Sequence, residues 1–510
     1  MIKEYLKTIN TFEKELSHLG AISALLQWDQ QTIMPKAASA ERAEQSAYIS
    51  TKIHQTFLNK KFITAVNKLS NQVNFKKLSK NNQTRIKHLK KDQDKNKKIP
   101  LKHVEEYSKL TSLSHHKWVD ARNKENTKLF LPTLTKVVNL KLKEIKYLDP
   151  KGIANHPYDI LLDDFEEGMT VEKIDPIFEE LKFGIIQILN KIKQSKPYKT
   201  RKDILANKKY KFPKEIQLKV TNEIASLMNP DTNRFTIAES VHPFTTRISF
   251  NDTRLTTAVR ENQPMFSFTS LSHEAGHAQY EMGMGKNLKN TSLQDCPTVG
   301  LHESQSRIWE NQVTRSFDFW QFYYPKYQKH FPTLKSLKLK DFYESINIVK
   351  PSLVRIECDE LTYCLHVIIR YELEKDLIAQ KIKAKDLEKK WNQKSQEYLG
   401  VKPNKPSRGV LQDVHWSEGY FGYFPTYALG TLYSAMLWKQ INIDNKQLKK
   451  QIKKGNIKYI KDWLDKKIHV HGKTKTTEQI IKLATKQTIT AKPFLNYLKD
   501  KYYPLYNIKE

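Results

Sequence analysis

Only 15 of the 510 residues are glycine and 20 are proline. Glycine supplies the left-handed backbone of tight turns, and proline presets the first corner of many others. A barrel or sandwich of short strands turns every dozen residues or so, and an ordinary chain already has about 7% Gly. So few breakers predict long helices. Apolar periodicity agrees: Tyr5, Leu6, Ile9, Phe12, Leu16, Leu19, Ile22 and Leu26 recur at helical intervals, with similar stripes over 174–192, 216–227, 342–349, 361–377 and 452–464. One passage alternates instead. Within 242–259, Phe244, Thr246, Ile248 and Phe250, then Leu255, Thr257 and Val259, predict a small sheet. With no repeat and no linker, residues 1–510 read as one large, mainly α-helical unit. Its helical N-terminal part covers about 1–210, its core about 211–430 and its helical C-terminal part about 431–510.

The formal net charge is +32, from 87 Lys and Arg against 55 Asp and Glu. The Lys-rich stretches 87–98, 191–214 and 449–467 are interrupted by apolar residues, in places at helical intervals, so they read as solvated helix faces rather than a polyanion site. No nucleic-acid partner is expected. Cys296, Cys358 and Cys364 form no disulfide framework and no CxxC pair, which suits reduced thiols in the cytoplasm. The start Met1-Ile2-Lys3-Glu4-Tyr5 lacks the apolar run of a secretory signal. No stretch reaches the roughly 18 apolar residues of a membrane span.

The chemistry is written in His273-Glu274-Ala275-Gly276-His277. A chain of this composition contains the HExxH pattern by chance roughly 0.05 times. Four residues on a helix turn through about 400°, so both imidazoles share a face one turn apart and can reach one tetrahedral ion. Glu274 then stands beside the ion, where a carboxylate can take a proton from water. Thr269, Ser270 and Ser272 are candidates to cap the helix. A third ligand is needed; Glu303 follows His277 by 26 residues, and the adjacent His302 is its rival. Neighbours on a helix point about 100° apart, so both cannot easily serve. Arg355 and Asp359, at i and i+4, read either as a helix salt bridge or as part of a site.

Six segments in order resemble the M32 metallocarboxypeptidase family, the carboxypeptidase Taq type: His242–Phe244 (HPF), Asp252–Thr256 (DxRxT), His273–His277 (HExxH), His302–Gln305 (HES/GQ), Val354–Asp359 ((I/V)RxxAD) and Gly409–Trp416 (GxxQDxHW). The likeness extends from Leu25-Leu26-Gln27-Trp28-Asp29 to Lys501-Tyr502-Tyr503, essentially the whole chain. Cys358 departs from the usual Ala, and Glu167 from the usual Pro of a Glu-Pro-Gly segment.

The resemblance implies a mostly α-helical peptidase with a deep groove, commonly homodimeric, releasing single residues of broad identity from peptide C-termini with zinc or sometimes cobalt. It implies one ion per chain on His273, His277 and Glu303, with Glu274 as general base. The oxyanion donor it suggests is Tyr423 first and Tyr427 second. Arg355 is the expected anchor for the substrate's free carboxylate, because its planar fork can bind both oxygens. His242, Arg254, Gln412 and His415 are expected to line the same pocket. Two other readings stay open. One is an oligopeptide endopeptidase with the same metal site; the other is a basic nucleic-acid binder with a vestigial one.

Overall fold

The computed structural model describes residues 1–229 and 231–509. About 70% of the chain is helical, as the shortage of breakers requires. The predicted stripes become the helices Ile2–Thr32, Val171–Gln194, Lys214–Met228, Leu339–Ile346 and Tyr363–Ile378. The stripe over 452–464 is split: one helix ends at Ile452 and the next is Lys458–Lys467. Each has a local cause. Val171–Gln194, for example, starts where Thr170 Oγ1 accepts from Lys173 N at 3.3 Å, and it buries Ile174, Phe178, Leu181, Ile185, Ile188 and Ile192 along one face.

Apolar side chains gather in two clusters. The larger draws on Val171–Gln194, Phe317–His330, Tyr363–Ile378 and Pro425–Asp444, with aromatic residues such as Trp309, Trp320 and Tyr433 at its centre. The smaller lies among the first hundred residues: Ile9, Phe62, Ala65, Val66, Leu69, Leu78, Ile86 and Leu89.

The sheet has three strands, β1 (Phe235–Glu239), β2 (Thr245–Ser249) and β3 (Asp252–Thr257), in the order β1-β3-β2. β3 runs parallel to β1, pairing Phe235 with Thr253, and antiparallel to β2, pairing Thr245 with Leu255. The alternation over 242–259 located β2 and β3 but not β1, whose five residues FTIAE carry too short a pattern to separate from a loop. The sheet packs directly against the helix Pro264–Gly283, which carries the HExxH motif. That helix begins at Pro264, well before the hydroxyls expected to cap it. Thr269, Ser270 and Ser272 instead bond the carbonyls of Met265, Phe266 and Phe268 at 2.7, 2.7 and 2.8 Å.

Candidate metal centre and active-site cavity

His273 and His277 project from one face of the motif helix, and Glu303 meets them from the helix Val299–Arg307. His277 Nε2 lies 3.2 Å from His273 Nε2, and Glu303 Oε2 lies 3.6 and 3.5 Å from the two. A tetrahedral ion with bonds of about 2.0–2.1 Å needs ligand atoms about 3.3–3.4 Å apart. The triangle fits. Among the described residues these three are the one group of His, Cys, Asp or Glu side chains converging in this way. His302, the rival, turns aside: its Nε2 pairs with Glu281 Oε1 at 3.0 Å while its ring stacks on His277 at 4.4 Å.

The three converging side chains are held from behind. His273 Nδ1 meets Glu310 Oε2 at 2.8 Å, and Arg307 Nε donates to Glu303 Oε1 at 2.6 Å. Glu310 sits where the helix widens into a π-turn, Ile308–Val313. Two glycines let the backbones close in. A Cβ on Gly276 would lie 2.7 Å from Gln305 O and Ser306 Cα, and one on Gly430 would lie 2.8 Å from Glu303 Cβ. The Glu303 helix is thus gripped between the motif helix and Pro425–Asp444 with no room for a methyl on either side.

Charge in the centre follows from this packing. Burial pulls His273 down, but Glu303, Glu310 and Glu274 outweigh it and raise its pKa to about 9. Burial, with His302 and His273, pushes His277 down to about 3. Burial opposes the ionised forms of Glu303 and Glu310, yet Arg307 and His273 hold Glu303 well below the usual carboxylate range and Glu310 at about 2. A ligand imidazole must be neutral. Binding of a divalent ion is therefore expected to displace the His273 proton, with affinity rising about tenfold per pH unit below about 9. Calorimetric titration at pH 6 in buffers of different ionisation enthalpy checks this: about one proton should leave per ion, and none leaving would contradict it.

The centre opens into a cavity of about 1140 Å³ whose wall includes His273, Glu274, Glu303, Arg355, Tyr363 and Tyr427. Six basic and seven acidic side chains line it, so the charge excess lies elsewhere on the molecule and the cavity is no polyanion groove. Glu274 is buried, and its Oε2 lies 2.7 Å from Thr245 Oγ1 on β2. Burial and Glu303 raise its pKa against the pull of His273.

Arg355 does not pair with Asp359. It lies in a single 3₁₀ turn, Arg355–Glu357, while Asp359 accepts from Thr362 N and Lys350 N, both at 2.9 Å. The Arg355 guanidinium meets Asp413 Oδ1 at 3.2 and 2.9 Å and lies 4.9 Å from the centre of the Tyr427 ring. Asp413 Oδ2 is taken by the fully buried Arg370 at 2.7 and 2.5 Å. Two cations share one anion. The cluster keeps one net positive charge beside the cavity.

The comparisons with known proteins agree over the same span. A family model described as carboxypeptidase Taq (M32) metallopeptidase matches residues 8–502. The chain belongs to the M32 family. Carboxypeptidase 1 of Bacillus subtilis is 38% identical over 506 residues, 98% of this chain and 99% of that one. Thermostable carboxypeptidase 1 of Thermus thermophilus is 33% identical over 97% of this chain and 98% of its own. The crystal structure of the M32 carboxypeptidase from Deinococcus radiodurans R1 superimposes with a TM-score of 0.94 at 31% identity, covering 99% of this chain and 100% of that one. The protein is therefore a metallocarboxypeptidase.

The remaining M32 segments divide between wall and scaffold. His242, exposed in the turn before β2, and His415 line the cavity. Burial, with Arg355 and Arg370, pushes His415 down to about 4 against the pull of Asp413. Arg254 lies elsewhere: it grips Asp252 at 3.1 and 3.0 Å and covers the Trp28 ring at 4.7 Å, docking the N-terminal helix on β3. The Gln412 amide donates to Leu353 O, Gly409 O and Arg408 O, and its oxygen accepts from Arg355 N at 2.8 Å. It fixes the Arg355 backbone. Tyr427 is on the cavity wall; Tyr423 stands behind it, its ring edge-on to that of Tyr427 at 5.4 Å.

Sequence reasoning passed over five residues at the site: Thr245, Arg307, Glu310, Tyr363 and Asp413. Glu310 had a usable signal, an acid seven residues after Glu303 and so on the same helical face. Thr245 had none, since a strand's contact with a later helix leaves no mark on local spacing.

Proposed function

We propose that the protein releases single amino acids of broad identity from peptide C-termini, with one zinc ion, or cobalt, on His273, His277 and Glu303. When bound there, a divalent cation polarises the scissile carbonyl and lowers the pKa of water. Glu274 takes the water proton and returns it to the leaving nitrogen; burial makes it a stronger base than an exposed carboxylate. Thr245 holds one of its oxygens and leaves the other for the water. Tyr427, the one of the two tyrosines on the cavity wall, donates to the developing oxyanion. Arg355 receives the substrate carboxylate.

One observation carries this reading: Glu274, the ligand side chains His273 and Glu303, and a cationic Arg355 share one cavity wall, with His277 directly behind at 3.2 Å from His273. The family resemblance supports a homodimer, and three free cysteines support a reducing cytoplasm. Among the described residues, no helix is long and apolar enough to cross a membrane.

The test is mass spectrometry of products from a defined peptide set, free-acid and C-terminally amidated, with and without chelator. Stepwise loss of single C-terminal residues from acids alone is expected. Internal cleavage of amidated peptides would replace this reading with the endopeptidase. Metal analysis on the same preparations should give one ion per chain, lost in His273→Ala and Glu303→Ala; stoichiometric ion in both variants would overturn the ligand set.

A further inference from the structure

The segment 157–168 passes behind the metal centre without touching the cavity. Its helix Pro157–Leu162 runs into a tight turn, with Glu166 N bonded to Leu162 O at 2.8 Å and Gly168 N to Asp163 Oδ1 at 3.1 Å. The turn faces three ways. Inward, Glu166 is fully buried and its carboxylate accepts from Gly300 N, near the start of the Glu303 helix. Val299 N donates to Phe165 O at 3.0 Å, so two of that helix's first N–H groups end on this turn. Sideways, the Phe165 ring meets the Tyr423 ring edge-on at 5.1 Å. Leu161 O approaches so closely that a Cβ on Gly422 would lie 2.6 Å from it. Outward, Asp163 and Glu167 pair with Lys91 at 2.7 and 2.8 Å, and Asp164 with Lys95, both from the helix Lys80–Lys98.

We propose that Glu166 is a positioning residue for Glu303, and that its turn fixes the Glu303 helix relative to the Tyr423–Tyr427 stretch. The inference rests on reading His273, His277 and Glu303 as the metal ligands. Gly276 and Gly430 grip that helix from its sides, which leaves sliding along its own axis to be resisted at its ends. Gly300 stands three residues before Glu303, about 4.5 Å along the axis at 1.5 Å per residue. In a nine-residue helix a shift at the capped end reaches Glu303 undiminished. Tyr433 OH lies 3.5 Å from the second Glu166 oxygen, and among the described residues no basic side chain pairs with either oxygen. Burial without a cation pushes this carboxyl up to about 8. What the chain keeps here is an acceptor aimed at one N–H, not a charge pair.

The test uses the full chain, with a chelator-buffered Zn²⁺ titration and the visible absorption of bound Co²⁺, which reports the ligand set. Glu166→Ala is expected to bind Zn²⁺ about 10- to 100-fold more weakly and to alter the Co²⁺ spectrum. Glu166→Gln, whose amide oxygen still accepts from Gly300 N, should stay close to the parent in both. His273→Ala is the control for the underlying reading. If it loses the ion while Glu166→Ala keeps parental affinity and spectrum, the positioning role alone is overturned. If His273→Ala keeps the ion, the ligand assignment falls first and takes this inference with it. Should Glu166→Ala fail to fold, Glu166→Asp replaces it: a carboxylate one methylene short should weaken the ion where Gln does not, and equal affinity for Asp, Gln and parent overturns the proposal.

Discussion

Glu274→Gln is expected to retain the metal ion and to lose turnover by roughly 10²- to 10⁴-fold, the usual contribution of a positioned general base. The substitution is clean for structural reasons. Thr245 Oγ1 donates to a Glu274 oxygen, and the Gln carbonyl can accept that bond in the same place. The ligand triangle of His273, His277 and Glu303 does not include this side chain. What disappears is only the capacity to hold a proton between the water and the leaving nitrogen. Single-turnover rates on a free-acid peptide, with metal content measured on the same samples, provide the check. Turnover near that of the parent at full metal loading would mean that some other group is the base.

Arg355→Ala should cost about 30- to 1000-fold in kcat/KM on free-acid peptides and little on amidated ones. The contrast is what tests the role, since a general disturbance of the cavity would slow both. The variant is also expected to fold. Asp413 keeps its bonds to Arg370 when Arg355 is removed, so no carboxylate is stranded in the interior. Arg355→Lys should recover part of the loss, because an ammonium supplies charge without the planar fork. Equal losses on acid and amide substrates would remove Arg355 from the substrate's carboxylate.

The helices and the pairing of His273 with His277 on one helical face were legible because both are local. A 3.6-residue stripe needs only its own segment, and His273, Glu274 and His277 share one helical turn. Helix geometry alone left Glu303 and His302 as alternatives for the third position, and it was the M32 resemblance that pointed to Glu303. The Arg355–Asp359 spacing left two readings open for the opposite reason: i and i+4 matter only on a helix, and the chain there makes a single 3₁₀ turn before Cys358 becomes extended. Arg355 finds its partner in Asp413, 58 residues later, through a fold that no spacing encodes. The same holds for Arg254 and Gln412, whose motif membership marks them as needed without saying whether they touch substrate or brace what does. β1 was missed because five residues are too few to show a period.

The division of the apolar interior into two clusters bears on how the molecule comes apart. The eight-residue cluster among the first hundred residues is small, and its helix Lys80–Lys98 meets the turn at 163–167 through partly exposed Lys–carboxylate pairs. Such pairs weaken as salt rises, whereas the aromatic-rich main cluster does not depend on them. The N-terminal helices should therefore behave as a separate cooperative unit of lower stability, opening before the rest. In amide hydrogen exchange the backbone N–H groups of 60–98 should lose protection first, and sooner at high salt, while those of Pro425–Asp444 exchange only with global unfolding. Uniform protection across both segments would mean that the chain unfolds as one piece.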